Sequence, residues 1–342
     1  MSREAKVLML YTGGTIGMIL QENGSYHPFS LENLMRQIPE ISQFDCSIDT
    51  DSFDDPIDSS NMLPEHWQRI ALRIKEDYGL YDAFLILHGS DTMAYTSSAL
   101  SFMLGNLSKP VILTGSQLPI GIPRSDAREN ILSSLEIALA RNDEGGPLVP
   151  EVAVYFEYDL YRGNRVQKVS AEDFEAFQSP NYPKLAEAGV SIKYNRNYIA
   201  RAKAGALQVK LDLDPRVGII HCFPGMTAEL VLPQILNPQV QALIIRSFGA
   251  GNAPSQNWLI EALAQVCLSG TPVINVSQCS AGTVEMTKYE AGRKYHEIGL
   301  IGAADMTFEA ALCKTMFLLG QNLKGEEFKL AFCENLKGEV SI

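Results

Sequence analysis

The chain has 342 residues, 46% of them hydrophobic and 20% charged. That is the composition of an ordinary globular enzyme, with enough chain for two domains or one large one. A formal net charge of -12, with no Lys/Arg-rich run to offset it locally, argues against nucleic acid or an anionic membrane as partner.

Residues 7–11 form an apolar strand that runs into the turn Tyr11-Thr12-Gly13-Gly14-Thr15-Ile16-Gly17. Glycine permits positive φ and close approach to the main chain, so Thr15 can present its hydroxyl in a donor-rich pocket. Taken alone, the turn suits phosphate binding, packing or catalysis. It is not a dinucleotide fingerprint, because Thr12 stands where glycine is required and the stretch around Gln37 lacks the acidic residue that would hold a ribose at the end of a second strand. The polar loop Asp58-Ser59-Ser60-Asn61 precedes a helical pattern over 62–78, with Trp67, Ile70, Ala71 and Ile74 at helical spacing. The loop offers groups for a small polar ligand, or equally an N-cap for that helix.

The strand-to-loop design recurs twice. Residues 84–87 lead into His88-Gly89-Ser90-Asp91-Thr92, and residues 111–113 into Thr114-Gly115-Ser116-Gln117. Helical patterns over 96–107 and 128–141 and a strand over 152–156 complete an alternation of buried strands and helices, which indicates a parallel sheet covered on both faces. The pattern weakens from about residue 181 and resumes with strands at 217–220, 242–245 and 273–276 and helices at 258–268 and 307–319. The expected fold is α/β: a larger N-terminal domain with a mainly parallel sheet over 1–190, a connection over 191–214, and a smaller C-terminal α/β domain over 215–342. In such sheets ligands bind beyond the carboxyl ends of strands, where Thr15, Ser90, Asp91 and Ser116 all fall.

Ser90-Asp91 sets a hydroxyl beside a carboxylate. A carboxylate accepts the ammonium of an amino acid, while hydroxyls and backbone N–H groups hold its carboxylate. A hydroxyl nucleophile needs an activating neighbour. The Gly-x-Ser-x-Gly elbow is absent, and Lys168 is a candidate activator or else a solvated surface lysine. The five histidines are isolated, so no metal is expected. Six cysteines without a Cys-x-x-Cys pair, and a start at residues 1–6 unlike a secretory signal, suggest reduced thiols in the cytoplasm. No apolar stretch reaches the ~20 residues that cross a bilayer.

Together these segments, with Phe177-Gln178-Ser179-Pro180-Asn181-Tyr182 and Gly302-Ala303-Ala304-Asp305-Met306-Thr307, resemble the L-asparaginases, most closely their bacterial cytoplasmic type I branch. The resemblance covers nearly the whole chain. It implies a cofactor-free amidohydrolase that converts L-asparagine to L-aspartate and ammonia through a β-aspartyl ester on Thr15. It also implies Tyr26 on a lid, a second cluster of Ser90, Asp91 and Lys168, and substrate binding by Asp58, Ser59, Ser60 and Asp91. The branch usually has threonine at the position of Ser90. Serine keeps the hydroxyl but loses the methyl that restricts its rotamers. Tyr26 and Lys168 both stand as general base for Thr15. Further implications are a homotetramer built as a dimer of dimers, Asn252 facing a neighbouring subunit, and a regulatory asparagine site at Arg246, Cys279 and Gln167. Arg246 equally suits a structural ion pair. The competing readings are a glutaminase or ammonia-releasing amidotransferase subunit, and a non-catalytic amino-acid-binding protein.

Overall fold

The computed structural model describes residues 4–20, 26–28 and 36–341, with the backbone alone for 18–20 and 26–28. The chain divides into two compact units, one of residues up to 179 together with 183–211, the other of 180–182 together with 212–342.

The first unit is built on an eight-stranded sheet. In chain order its strands are β1 (Ala5–Tyr11), β2 (Cys46–Ser52), β3 (Ala83–Leu87), β4 (Val111–Thr114), β5 (Val152–Phe156), β6 (Asp159–Arg162), β7 (Ala186–Glu187) and β8 (Lys193–Tyr194). They lie in the order β8-β7-β6-β5-β4-β3-β1-β2. The five strands from β2 to β5 pair in parallel and the remaining three antiparallel. Strands β3, β4 and β5 are buried along their whole length, hence their unbroken apolar sequences. Between β5 and β6 the two-residue turn Glu157-Tyr158 has positive φ at both positions, the geometry that suits the twist of a hairpin.

Helices α1 (Pro64–Asp77), α2 (Met93–Met103) and α3 (Ala127–Leu139) flank the sheet. The first buries Trp67, Ile70, Ala71 and Ile74, the stripe predicted from spacing. Residues 191–211, expected to connect the domains, carry two strand pairings. Lys193–Tyr194 closes the sheet edge, and Gln208–Val209 pairs with Leu104–Gly105.

One expectation about the second strand is corrected. No strand was read at Cys46–Ser52, because this edge strand is only half buried and lacks an apolar run. It ends at Asp51-Ser52, so an acidic residue does stand at the end of the second strand, where it pairs with Arg73 at 3.1 Å. The case against a dinucleotide site therefore rests on Thr12 alone.

The second unit holds four parallel strands in the order β9 (Val217–His221), β10 (Ala242–Ser247), β11 (Val273–Ser277) and β12 (Ile301–Gly302). Helices α4 (Ala228–Ile235) and α5 (Asn257–Leu268) share a core with this sheet, made of Ile220, Leu243, Ile245, Val273, Val231, Ile235, Leu259 and Leu263. Then come α6 (Glu290–Glu297), α7 (Phe308–Gly320) and α8 (Gly325–Cys333). Among the described residues, no helix is long and apolar enough to cross a membrane.

Candidate active site

The central strand order β2-β1-β3-β4-β5 reverses direction between β1 and β3. That reversal is the switch point at which open parallel sheets bind ligands. Register brings Tyr11, Leu87 and Thr114 side by side, so the three glycine-bearing loops leave the sheet at one level.

The loops pack main chain against main chain. Thr12 is buried, and both its N–H and its hydroxyl donate to the Leu87 carbonyl, at 3.0 and 3.1 Å. Gly14 has φ of +87°, and a Cβ added there would lie 2.4 Å from the Gly89 Cα. A Cβ on Gly89 would lie 2.6 Å from the Ser59 hydroxyl. No side chain fits at either contact. Thr15 and Ser90 each follow this Gly14–Gly89 contact by one residue. Thr15 is half-buried and opens a single helical turn, Thr15–Gly17. Beneath it the Tyr11 hydroxyl donates to the Gly14 carbonyl at 3.1 Å, and burial pushes that phenol up to about 12.

Ser90, Asp91 and Lys168 come together as predicted. Lys168 lies on the short strand Gln167–Lys168, held antiparallel to Phe177–Gln178. Its ammonium donates to the Ser90 hydroxyl at 2.8 Å and to Asp91 Oδ1 at 2.7 Å. The lysine side chain is 16% exposed and the aspartate 62%, so the carboxylate keeps accepting capacity on the open side. The Ser90 hydroxyl in turn donates to Gln117 Oε1 at 3.4 Å.

The 58–61 loop is a short helical turn of its own, Ser59–Asn61, in which the Asp58 carboxylate accepts from the Ser60 N–H at 3.0 Å. The alternative of an N-cap for the following helix is corrected, because Leu63 holds that position. Thr92 donates to the Ser59 carbonyl at 2.7 Å and so ties this turn to the Ser90 loop. Ser59 is buried, whereas Asp58 and Ser60 are exposed.

Three residues have a place in the structure to which the sequence assigns no role. Gln117 closes the Thr114-Gly115-Ser116-Gln117 segment. In the structure it bridges the Ser90 hydroxyl and, through Nε2, the Asp173 carbonyl at 2.9 Å. Asp126 gave no signal, yet its buried carboxylate accepts from the N–H groups of Gln117 and Leu118 and from Asn130 Nδ2. Burial raises its carboxyl group, and these hydrogen bonds oppose the rise. His88, at the end of β3, is completely buried. Ser116, noted as a strand-end hydroxyl, spends it on the Leu118 carbonyl at 2.7 Å.

The remaining expectations fall elsewhere. Tyr26 has its backbone paired with Leu20, and its side chain lies outside the described residues. Gln167 neighbours Lys168 in the first unit, whereas Arg246, Asn252 and Cys279 belong to the second. Arg246 is the penultimate residue of β10, with its guanidinium 4.6 Å above the Phe308 ring and its buried Nε without a hydrogen-bond partner among the described residues. Among the described residues it stacks on an aromatic ring in place of the structural ion pair considered from sequence. Asn252 exchanges backbone hydrogen bonds with Phe248, at 2.7 and 2.9 Å. Cys279 is exposed, and its N–H donates to Ser277 Oγ at 3.0 Å. Among the described residues, no group of three or more His, Cys, Asp or Glu could hold a metal ion.

Residues 6–200 match the family described as Asparaginase, N-terminal, and residues 216–332 match Glutaminase/Asparaginase C-terminal domain. The chain is 42% identical to L-asparaginase 1 of Escherichia coli K12 over 99% of both sequences. The crystal structure of L-asparaginase I from Vibrio cholerae superposes with a TM-score of 0.88 at 39% identity, over 99% of each chain. The thermostable L-asparaginase of Thermococcus kodakarensis gives 0.90 at 35%, over 98% of this chain and 99% of that one. With both family domains matched in order and a relative of this identity aligned end to end, the chain belongs to the asparaginase family.

Proposed function

We propose that this chain hydrolyses L-asparagine to L-aspartate and ammonia, with Thr15 as nucleophile. The observation that carries the reading is the three-way contact of Lys168 with Ser90 and Asp91, one residue beyond the point where Gly14 meets Gly89. The Thr15 oxygen attacks the side-chain amide carbon, the tetrahedral intermediate expels ammonia, and water cleaves the resulting β-aspartyl ester. Asp91 takes the α-ammonium of the substrate on its exposed side. The hydroxyls and N–H groups of the Asp58-Ser59-Ser60 turn take the α-carboxylate. Tyr26 and Lys168 are the two candidates for the base that accepts the Thr15 proton. Backbone N–H groups of the glycine loops, or Ser90, stabilise the oxyanion.

The wider reading is a cytoplasmic homotetramer, a dimer of dimers with Asn252 facing a neighbouring subunit. Its regulatory asparagine site is carried by Arg246 and Cys279, with Gln167 as a further candidate residue. The unpartnered Nε of Arg246 supports a carboxylate ligand there.

Ammonia release from L-asparagine and L-glutamine, compared for the parent chain and Thr15→Ala, tests the proposal. Activity on asparagine that disappears in Thr15→Ala is the expected result. Activity on neither amide would favour an amino-acid-binding protein. Undiminished activity in the variant would move the nucleophile to Ser90.

A further inference from the structure

The chemistry proposed above uses no histidine, yet His88 sits fully buried at the root of the Ser90 loop. Its backbone N–H donates to the Thr114 carbonyl at 2.8 Å, which extends the β3–β4 ladder by one residue. Ring Nδ1 lies 2.6 Å from the carbonyl oxygen of Gly89. Ring Nε2 lies 2.9 Å from the Thr96 hydroxyl, which accepts from Trp67 Nε1 at 3.0 Å.

These contacts fix the protons. A carbonyl only accepts, so Nδ1 carries the hydrogen. Burial pulls the imidazole down to about 4, so near neutrality the ring is uncharged and Nε2 is an acceptor. The Thr96 hydroxyl must then donate to Nε2. The result is a one-way chain of donors running from Trp67 through Thr96 and His88 to Gly89, with each buried group satisfied.

The chain ends on the Gly89–Ser90 peptide, which is packed against Gly14 but has no Gly89 side chain to fix its rotation. The described peptide bonds are trans, and across a trans peptide the C=O and N–H point in opposite directions. Drawing the Gly89 carbonyl toward the buried ring therefore turns the Ser90 N–H away from it, to the side where Ser90 is half-buried and Asp91 is exposed.

We propose that His88 is a positioning residue whose Nδ1–H fixes the Gly89–Ser90 peptide, so that the Ser90 N–H is aimed at the oxyanion of the tetrahedral intermediate. The inference rests on the amidohydrolase reading given above. An oxyanion donor acts on the transition state and little on the bound substrate. Losing its aim therefore lowers kcat and leaves KM nearly unchanged.

Two substitutions separate positioning from mere filling of space. In His88→Asn the amide nitrogen takes the place of Nδ1 and still donates to Gly89. In His88→Gln it reaches the place of Nε2 and leaves Gly89 without a donor. Both shrink a buried ring, so melting temperature falls in both. With ammonia release from L-asparagine as the assay, His88→Gln is expected to lose on the order of 10²-fold in kcat, with KM within about threefold of the parent. His88→Asn retains most of kcat. Thr96→Val, one link further out and close to isosteric, lowers kcat in the same sense by a smaller factor and serves if the histidine variants do not fold. Parent-like kcat in His88→Gln, or equal losses in Asn and Gln, would overturn the inference while the parent's activity upholds the hydrolase reading. A parent chain inactive on asparagine and glutamine would overturn both.

Discussion

Each unit contains a lysine in short contact with a carboxylate, and the two surroundings differ. Lys314 and Glu339, in the second unit, are completely buried, with Nζ 2.5 Å from Oε1. The same ammonium donates to the Glu334 carbonyl and lies 5.4 Å from the centre of the Phe332 ring. Glu339 also accepts from the N–H groups of Leu336 and Lys337. Burial lowers Lys314 below an ordinary lysine, and the charge of Glu339 opposes the shift. Lys168 makes a comparable contact with Asp91, but it shares the ammonium with a hydroxyl and leaves the carboxylate largely exposed. An ion pair is thus no mark of a functional site. What separates the two is that Lys314–Glu339 spends its capacity on its own chain, closing the residues after α8 onto α7, whereas the Asp91 carboxylate stays largely open.

The contrast can be broken most sharply at Lys314. Lys314→Met leaves a carboxylate buried and unpaired, at a cost of about 3–5 kcal/mol. Urea unfolding should show that loss, with kcat per folded molecule unchanged. Replacing both partners by apolar residues (Lys314→Met with Glu339→Leu) should recover most of it. Lys168→Met should do the reverse. Its pairing with a largely exposed carboxylate contributes about 0–1 kcal/mol to stability, while kcat falls by roughly 10²–10⁴-fold. Large destabilisation with activity intact would remove Lys168 from the site.

His88 extends the comparison to a buried basic group that has no carboxylate beside it. Its pKa falls from 6.5 to about 4 in the folded chain. Between those values the unfolded chain binds a proton that the folded chain refuses, so stability is lost as pH falls from 6.5 toward 4. The loss amounts to about 3 kcal/mol once pH is below both values. His88→Asn should lack this component when its unfolding free energy is followed across the window beside the parent. Identical pH slopes would show that the ring is not held neutral. The smallest effect belongs to Ser90→Thr. A methyl that narrows the rotamer choice near Lys168 should change kcat by no more than about tenfold, and a loss far beyond that would mean the loop was built around serine.

Much of this arrangement was legible in the chain. Three apolar strands ending in glycine and a hydroxyl residue announced loops that meet, and the helices at 64–77, 127–139 and 257–268 lie within two residues of their periodic patterns. Cys46–Ser52 escaped because an edge strand need not be apolar on both faces. Asp126 escaped because a carboxylate that satisfies backbone N–H groups eight and nine residues back has no sequence signature. The pairing of Lys314 with Glu339 joins residues 25 apart and exists only once the end of the chain folds back. His88 was visible beside its glycine, but the donor chain that satisfies its Nε2 runs through Trp67 and Thr96, which helices α1 and α2 bring to it.

The meeting of Gly14 with Gly89 also limits how the site can be altered. Where two loops touch through main chain alone, the floor of the pocket has no side chain to trim, and any added one collides with backbone or with Ser59. Libraries aimed at a longer amide therefore have little to gain at the glycines. On the reading proposed above, room for a different substrate is to be sought at the exposed side chains of Asp58 and Ser60 and at Gln117.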